Sequence, residues 1–455
     1  MLSIQGASLL YGNKYVLLRS VHRVGQHVGG GGSPRVRERV ETLIIGGGQA
    51  GLSGSYYLTE HGREHVVLER GRLAETWLTQ RWDGFCLNTP NWTLLLPGHS
   101  YAGNDPNSFM SRAEVVLYLE RYARAFQPPL RCGVSVRSLE LRSGGGYLLE
   151  TSAGPLEAEN VVVATGAFQR PTAAPFADEL PAWIFQLHAS EYLRPSQLPA
   201  GAVLVVGSGS SGCQIAEELN ESGRTVYLSV GNCPWAPRRY RGRDFLRWAV
   251  DLGLMDETVD ALSSPRARLA CNQTLSGNGG GHDCHPRMLG RAGVVLLGRV
   301  EAARGRRVFI RAGLDESLAK ADEFAARFTR QVDEYVIASR LDVPDEPVDG
   351  DSERDDPRAA APGRELDLRS SGITTILWAN GYRPDFGWIR LPIFDGDGWP
   401  LQVRGVTALP GLYFLGMHWL YKRKSALFLG IGEDARHVAG QIVRAPVRQR
   451  ERARL

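Results

Sequence analysis

Three glycines early in the sequence have the spacing of a phosphate-binding turn. Gly46, Gly48 and Gly51 directly follow the apolar, strand-like run 41–45, and a helical segment comes after them. In such a strand–turn–helix unit the first glycine permits a tight turn, the second lets a pyrophosphate approach the backbone, and the third lets the helix pack on the strand. The unit therefore predicts a dinucleotide held at the positive end of a helix.

A second strand, 66–68, ends in Glu69, close to the distance of roughly 20 residues at which a ribose-binding acid is expected. An acid at that point favours a dinucleotide whose ribose hydroxyls are free. An aromatic, loop-rich stretch that includes Trp77 follows. The residues that we expect to line this first site are Gly46, Gly48, Gln49, Ala50, Gly51, Glu69, Arg70 and Trp77.

The same glycine spacing occurs a second time, at Gly207, Gly209 and Gly212, directly after the apolar strand 202–206. The next strand, 225–228, ends without an acid, and the arginines 238, 239, 241 and 243 follow instead. Because arginine accommodates a 2′-phosphate, we expect NADPH here. Two alternatives stay open: the arginines could line a solvated turn, or Arg241 and Arg243 could bind an anionic substrate. The expected lining is Gly207, Gly209, Ser210, Ser211, Gly212, Arg238 and Arg239.

The elements around these motifs predict an α/β fold with two Rossmann-like domains, the second inserted into the first. Runs 134–141, 147–151 and 156–159 predict an antiparallel meander, and strand 161–163 leads out of the first domain through Ala164, Thr165 and Gly166. Two later strands precede Gly381 and Gly416, so the C-terminal part is expected to rejoin the first domain and close over its ligand.

These observations divide the chain into five parts. We predict a disordered basic tail at 1–38, the first dinucleotide domain at 39–198 and 370–443, the second at 199–369 with a helical insertion, and a further tail at 444–455. For the first segment, a disordered tail or an over-long gene start is favoured over a targeting leader.

Composition excludes several classes of function. A net charge of +4 over 455 residues, with scattered arginines, does not favour nucleic-acid or membrane binding. The six cysteines form no Cys-x-x-Cys pair, which argues against a dithiol reductase and favours a reducing, cytoplasmic location. The adjacent residues 282–285 (His-Asp-Cys-His) do not set up tetrahedral coordination, so no metal is expected. A homodimer is left open.

Two dinucleotide sites in one chain indicate an electron relay, because nicotinamide delivers a hydride that another group must accept. A flavin at the first site is the natural acceptor. Its electrons could then pass to a disulfide, a quinone, another protein or dioxygen. Without a dithiol motif or iron–sulfur ligands, dioxygen is favoured by elimination.

With both fingerprints in place, the sequence resembles the flavin-containing monooxygenase superfamily over about residues 41–440, in particular its bacterial CzcO-like branch and the plant YUCCA enzymes. The family signature F-x-G-x-x-x-H-x-x-x-Y/F is half retained. His188 and Tyr192 match it, whereas Ala182 and Ile184 replace its Phe and Gly. Residues 379–382 resemble the A-T-G-Y element of N-hydroxylating relatives, with Asn in the Thr position.

The resemblance implies FAD at the first site, NADPH at the second, and insertion of one oxygen atom of O₂ into a small molecule through a flavin C4a-hydroperoxide in a dry site. It makes Asn88 a candidate catalytic residue. His188 is a second candidate, although a role in holding local backbone is favoured for it. Trp77, Trp82, Phe85 and Trp92 are candidate apolar walls.

The expected reaction is oxygenation of an amine, with an amino acid such as aspartate as one option. Baeyer–Villiger insertion, S-oxygenation, an NADPH:acceptor oxidoreductase without oxygen insertion, and a nucleotide sensor without turnover are the alternatives.

Overall fold

Both glycine units have the predicted local structure, since each follows a buried strand and opens a helix. The computed structural model describes residues 37–345 and 364–445, so most of the two predicted tails lies outside the described residues. In chain order the strands are β1 (Glu38–Ile45), β2 (His65–Glu69), β3 (Leu95–Leu96), β4 (His99–Ser100), β5 (Leu130–Cys132), β6 (Val136–Leu141), β7 (Tyr147–Thr151), β8 (Gly154–Val163), β9 (Arg170–Pro171), β10 (Phe185–His188), β11 (Ala202–Val206), β12 (Val226–Ser229), β13 (Arg239–Tyr240), β14 (Arg243–Asp244), β15 (Val295–Leu297), β16 (Val300–Arg304), β17 (Arg307–Ile310), β18 (Glu365–Asp367), β19 (Ile373–Trp378), β20 (Tyr382–Arg383), β21 (Gln402–Val403), β22 (Val406–Thr407) and β23 (Leu412–Phe414).

The helices lie between these strands, mostly where the sequence pattern predicts them. They are α1 (Gln49–Glu60), α2 (Glu75–Thr79), α3 (Arg112–Phe126), α4 (Ser210–Glu221), α5 (Phe245–Asp251), α6 (Pro286–Arg291), α7 (Leu314–Ser339) and α8 (Ile431–Arg444).

The first sheet contains the strand that precedes the first glycine unit. β1 pairs in parallel with β2 on one side and β8 on the other, and β23 joins β8 in parallel. The predicted meander is confirmed as β6, β7 and β8. Residues 156–159 and 161–163 form one strand, however. Burial alternates in the first half of β8, which lies in the meander, and is continuous in its last four residues, which lie in the parallel core.

The second sheet is entirely parallel, in the order β10-β19-β11-β12-β15. The predicted boundaries placed the residues of β10 and β19 in the first domain, and the pairing corrects this. An apolar run such as β19 is buried in the same way by either sheet, so its composition does not reveal its partners.

The second sheet is inserted into the first, which confirms the predicted fold class. The chain leaves the first sheet after β8 and returns to it at β21–β23. The two connecting segments touch each other, because β9 on the outward path pairs antiparallel with β20 on the return path. The outward and return segments between the two sheets are therefore hydrogen-bonded to each other.

The helical insertion predicted for the second domain is present as α5 and α7. Phe328 and Val332 of α7 are buried with Phe245 and Trp248 of α5 in a separate apolar core. Burial of these large side chains, at roughly 2–3 kcal/mol each, is what holds the insertion as a unit.

Helix α8 buries a carboxyl group against the first domain. Asp434 is 2% exposed, and its Oδ2 has no hydrogen-bond partner among the described residues. Burial raises the pKa of Asp434 to about 6, and Glu433 acts in the same direction, whereas Ser425, Arg404 and Lys422 oppose the shift. The fold therefore favours the protonated acid.

We predict that Asp434→Asn stabilises the protein at neutral and alkaline pH. The folded pKa of about 6 lies above the unfolded value of about 4, so this group favours folding at low pH, and that contribution is lost as the pH rises through about 6. The gain in the free energy of unfolding should be near zero at pH 4 and about 2–3 kcal/mol above pH 7. Denaturant unfolding at a series of pH values measures it.

Asp178→Asn makes the same substitution at an exposed position and is the matched control, which should leave the free energy of unfolding within about 0.5 kcal/mol of the wild type. A gain that is the same at pH 4 and pH 8 would contradict the assignment of a raised pKa.

Candidate cofactor and active site

The first cradle, formed by the loop 46–51, has the shape that a pyrophosphate requires. Gly46 has φ +111°, and a Cβ there would overlap the Ala164 carbonyl. A Cβ on Gly51 would overlap the Gly46 carbonyl, so helix and loop pack as closely as backbone allows. A Cβ on Gly48 would meet nothing within 4 Å. The space over the second glycine is thus open to a ligand, and the cradle fits a dinucleotide.

Glu69 closes this cradle from the end of β2. One carboxylate oxygen accepts from the Gly47 N–H at 2.8 Å, and the other accepts from the Gly71 N–H at 2.8 Å. Each oxygen keeps a second lone pair, with which it can accept a ribose hydroxyl. The neighbouring Arg70 is exposed.

The C-terminal part packs against the first cradle. Gln49 Nε2 donates to the Ala426 carbonyl at 2.7 Å, and a Cβ on Gly416 would lie 2.5 Å from the Ala50 Cβ. Trp77 stacks on Phe428 with ring centres 6.2 Å apart. The structure thus brings Gln49, Ala50, Trp77 and Gly416 together around one loop.

The aromatic walls are only partly contiguous. Phe85 contacts both Trp82, at a ring-centre distance of 5.1 Å, and Trp77, at 5.9 Å. Trp92 lies elsewhere, because it packs against the helical insertion with Arg247 over its ring.

The second cradle, the loop 207–212, repeats the first in its backbone contacts. Gly207 has φ +111°, and a Cβ there would overlap the Ala379 carbonyl. A Cβ on Gly212 would overlap the Gly207 carbonyl. Ala379 after β19 therefore occupies the position that Ala164 has after β8. The sequence pattern did not connect the two, although each alanine stands two residues before a glycine, Gly381 or Gly166.

The space above the second cradle differs from that above the first. A Cβ on Gly209 would lie 3.5 Å from Cys233 Sγ and 3.6 Å from Cys271 Sγ, which form a disulfide. Ser210 Oγ donates to the Gln273 carbonyl at 3.4 Å. The Cys-x-x-Cys pattern does not include this pair, because 38 residues separate its members in the sequence.

The two connecting segments are held by polar contacts at predicted site residues. Gln169 Nε2 donates to Thr165 Oγ1 at 2.7 Å and to the Gly166 carbonyl at 3.0 Å. Thr172 and His188 both donate to the Gly381 carbonyl. Thr165, Gly166 and Gly381 thus lie at the crossing between the two sheets.

His188 has structural partners at both ring nitrogens. Nδ1 accepts from the Ser190 N–H at 3.1 Å, and Nε2 lies 3.2 Å from the Gly381 carbonyl. Burial lowers the pKa of His188, so the neutral ring with its proton on Nε2 is favoured. These contacts favour the backbone-holding role over that of a catalytic base.

Arg238 is buried, whereas contact with a bound phosphate would require its side chain to be at the surface. Its side chain is 1% exposed and pairs with Asp244 at 2.7 Å, and Nη1 donates to the Asn88 carbonyl at 2.8 Å. The other predicted arginines also have protein partners: Arg239 donates to the Gly280 and Gly281 carbonyls, Arg241 pairs with Asp333 and Asp345, and Arg243 pairs with Asp251. Their backbone and carboxylate partners favour a structural role for the cluster.

Asn88 is the predicted catalytic residue that the structure connects most directly to a cradle. Its Oδ1 accepts from Gln214 Nε2 at 2.8 Å, and Gln214 lies on α4, which the second cradle opens. Because Oδ1 and the backbone carbonyl are both engaged, Asn88 offers its Nδ2 donor to a ligand. Sequence reasoning missed Gln214, whose position four residues after Ser210 on the helix was the available signal.

A small cleft lies beside this amide pair. Its lining is Trp82, Gly84, Cys86, Gln214, Glu217, Glu218, Ser276 and Asn278. Glu217 accepts from His282 at 2.8 Å, and Glu218 accepts from the Tyr192 hydroxyl at 2.6 Å. The cleft is therefore polar and carries two carboxyl groups.

We predict that Gly48→Ala weakens FAD binding without unfolding the protein. The backbone of Gly48 is extended, with φ −79°, and an added methyl meets no protein atom, but it enters the space that the pyrophosphate needs. We expect the dissociation constant of FAD to rise at least about tenfold. Flavin fluorescence titration measures binding, and thermal unfolding of the apoprotein measures stability.

Gly396→Ala is the matched control, because this glycine also has open space at Cβ, has no positive φ, and lies in an exposed turn outside both cradles. It should leave FAD affinity unchanged. Equal FAD affinity in Gly48→Ala and Gly396→Ala would contradict the assignment of the first cradle.

Comparison with known proteins extends over both cradles. A family model for pyridine nucleotide-disulphide oxidoreductases matches residues 43–247. A CzcO-like oxidoreductase of Geobacillus kaustophilus is 32% identical over 409 residues, which cover 89% of this chain and 98% of that protein. The indole-3-pyruvate monooxygenase YUCCA1 of Oryza sativa is 31% identical over 204 residues, or 43% of this chain and 50% of that one.

A solved structure shows the same fold. The flavin-containing monooxygenase from Stenotrophomonas maltophilia has a TM-score of 0.59 and 18% identity, and the match covers 89% of this chain and 98% of that chain. No helix in the described ranges is long and apolar enough to cross a membrane. The two cradles and the match to a pyridine nucleotide-disulphide oxidoreductase model support FAD and NADPH as the cofactors. The chain belongs to the family of CzcO-like oxidoreductases, and its fold is that of a flavin-containing monooxygenase.

Proposed function

We propose that this protein is an NADPH-dependent FAD monooxygenase that transfers one oxygen atom of O₂ to a small molecule, with an amine nitrogen as the favoured acceptor. The observation that carries the proposal is the pair of equivalent cradles in one chain, joined by two connecting segments that are bonded to each other. When bound, FAD accepts a hydride from NADPH and activates dioxygen.

Different residues of this chain would bind the two cofactors, one set at each cradle. The open space at Gly48 and the carboxylate of Glu69 suit the pyrophosphate and ribose of FAD. The first turn of α4 offers N–H donors and the exposed Ser211 hydroxyl to the phosphates of NADPH, and the Ser210 hydroxyl joins them once its bond to the Gln273 carbonyl is released. Trp77 and Phe85 supply apolar surface that keeps water from the reacting atoms.

Asn88 supports oxygenation as the outcome. Gln214 and Arg238 fix its orientation through Oδ1 and the backbone carbonyl, and this leaves Nδ2 to donate to negative charge that develops on oxygen. A donor held in advance in this way costs little reorganisation during the reaction.

The cleft beside Asn88 supports an amine as substrate. Glu217 and Glu218 place two carboxyl groups on its wall, and these favour a substrate that carries a protonated or hydrogen-bonding amine. The competing anionic substrate would have to use Arg241 and Arg243, but the carboxylates of Asp333 and Asp251 already engage these side chains.

Glu217 and Glu218 are engaged as well, by His282 and Tyr192. Their carboxyl oxygens keep further lone pairs that an amine N–H can use, however, whereas the arginines face carboxylates. We therefore favour an amine over an acid without an amine.

Labelled dioxygen tests the proposed reaction. The purified holoprotein is incubated with NADPH, ¹⁸O₂ and a panel of primary amines and amino acids, alongside thioethers and ketones. We expect ¹⁸O in an N-oxygenated product and NADPH consumption that rises with that substrate. Fast NADPH oxidation with quinones or ferricyanide, with no label in any product, would instead establish an acceptor oxidoreductase.

We predict that Asn88→Asp uncouples NADPH oxidation from product formation. The substitution keeps Oδ1 as the acceptor for Gln214, removes the Nδ2 donor, and places a negative charge where the developing charge on oxygen needs a donor. Loss of one such donor costs about 10²–10³ in rate, so the yield of oxygenated product per NADPH should fall at least tenfold while flavin reduction changes little. Stopped-flow absorbance and peroxide assays measure the two quantities.

Asn104→Asp makes the same substitution on an exposed loop and should behave like the wild type. If Asn88→Asp retains full coupling, the amide has no part in the oxygen chemistry.

A further inference from the structure

The two cradles differ at one place, the space over the second glycine. A methyl group on Gly48 would meet nothing within 4 Å, whereas one on Gly209 would lie 3.5 and 3.6 Å from the sulfurs of Cys233 and Cys271. In a cradle of this type the second glycine lacks a side chain so that the pyrophosphate can come close. The disulfide therefore occupies the space that the pyrophosphate of NADPH needs.

Further contacts hold the same segment against the helix. We use the name strap for residues 271–275. The Thr274 N–H donates to the Pro234 carbonyl at 2.8 Å, beside the disulfide. The Gln273 carbonyl accepts from Ser210 Oγ, a hydroxyl at the first turn of α4 that would otherwise face a phosphate. The strap thus covers both the glycine and a donor of the cradle.

We propose that the Cys233–Cys271 disulfide is a redox-controlled closure of the second cradle, and that its reduction admits the pyrophosphate of NADPH. This inference rests on the proposed binding of NADPH at that cradle. The reductant is a dithiol. The S–S bond breaks, the two cysteines gain two electrons and two protons, and the dithiol becomes a disulfide.

The surroundings of the two sulfurs suit this exchange. Cys271 is exposed and can be reached by an external thiolate, whereas Cys233 is 9% exposed. Attack on Cys271 Sγ releases the Cys233 thiolate, which lies beside Gly209 at the positive end of α4. The helix end stabilises that negative charge, and a stabilised thiolate is the better leaving group.

The closure acts on one cofactor only. The first cradle has no sulfur within 4 Å of the Gly48 position. FAD affinity should therefore be the same in both redox states. An oxidised protein that retains FAD and excludes NADPH would be inactive and fully restored by a dithiol.

Equilibrium binding of NADP⁺ to the flavin-loaded full chain tests the closure, since NADP⁺ does not reduce the flavin. Calorimetry is done on oxidised protein and on protein treated with dithiothreitol, and alkylation followed by mass spectrometry confirms the state of the two cysteines. We expect at least about tenfold tighter binding after reduction, within the usual range for coupling between two sites. FAD affinity should change less than twofold.

Two variants and one control make the test specific. Cys271→Ser alone, and Cys233→Ser with Cys271→Ser, should bind NADP⁺ like the reduced wild type under both conditions. Cys132→Ser removes an exposed cysteine outside the disulfide and should keep the full redox response. Far-ultraviolet circular dichroism and thermal unfolding check that each variant folds.

The outcomes separate the closure from the proposed function. Equal NADP⁺ affinity in the two redox states, or a redox response that persists in the serine variants, overturns the closure and leaves the monooxygenase proposal intact. Absence of NADP⁺ binding in every state and variant, with FAD bound, overturns the assignment of the second cradle and the closure with it.

Discussion

The contact on which the rest of this structure depends is a glycine held against a backbone carbonyl. At Gly46 and at Gly207 the chain turns with a positive φ so close to the end of a neighbouring strand that no side chain fits between them. Each contact fixes where a helix begins relative to a sheet, and thus where its N–H groups point. The carbonyls belong to Ala164 and Ala379, at the ends of strands that lead directly into the connecting segments. Cradle and connection are therefore one structural unit.

This arrangement explains why the connecting segments carry so many polar contacts. Because the carbonyl that follows each strand must contact a glycine, the direction in which the chain leaves that strand is restricted. The chain after Ala164 and Ala379 is directed by Gly166 and Gly381, both in the left-handed region, and then by Gln169, Thr172 and His188. His188 is buried and makes a hydrogen bond through each ring nitrogen because it helps to hold the direction of the chain after these strands.

Much of the fold was predictable because glycine spacing and apolar strands are local signals. The sequence predicted both cradles, Glu69, the meander and the insertion of one domain into the other. It placed β10 and β19 in the wrong sheet, since a buried parallel strand carries no mark of its neighbour. The role of Arg238 was missed for a related reason: an arginine that follows a strand looks the same whether it meets a phosphate or a backbone carbonyl. The bond from Gln214 to Asn88 joins positions far apart in the chain, and no local pattern encodes it.

The two cradles also differ in what covers them, and the difference matches the two cofactors. The first is covered by α8 and the segment before it, through Gln49, Gly416 and the stacking of Trp77 on Phe428. These contacts come from the segment that leads into α8, and Phe428 of that segment is buried in the main core together with α8. They open only if that core loosens, and this suits a flavin that stays bound over many turnovers. The second is covered by a short strap that belongs to neither sheet and is tied by one disulfide and by hydrogen bonds to Pro234, Ser210 and Gln214. A nicotinamide cofactor must enter and leave in every cycle, so a cover of this kind suits the cofactor that exchanges.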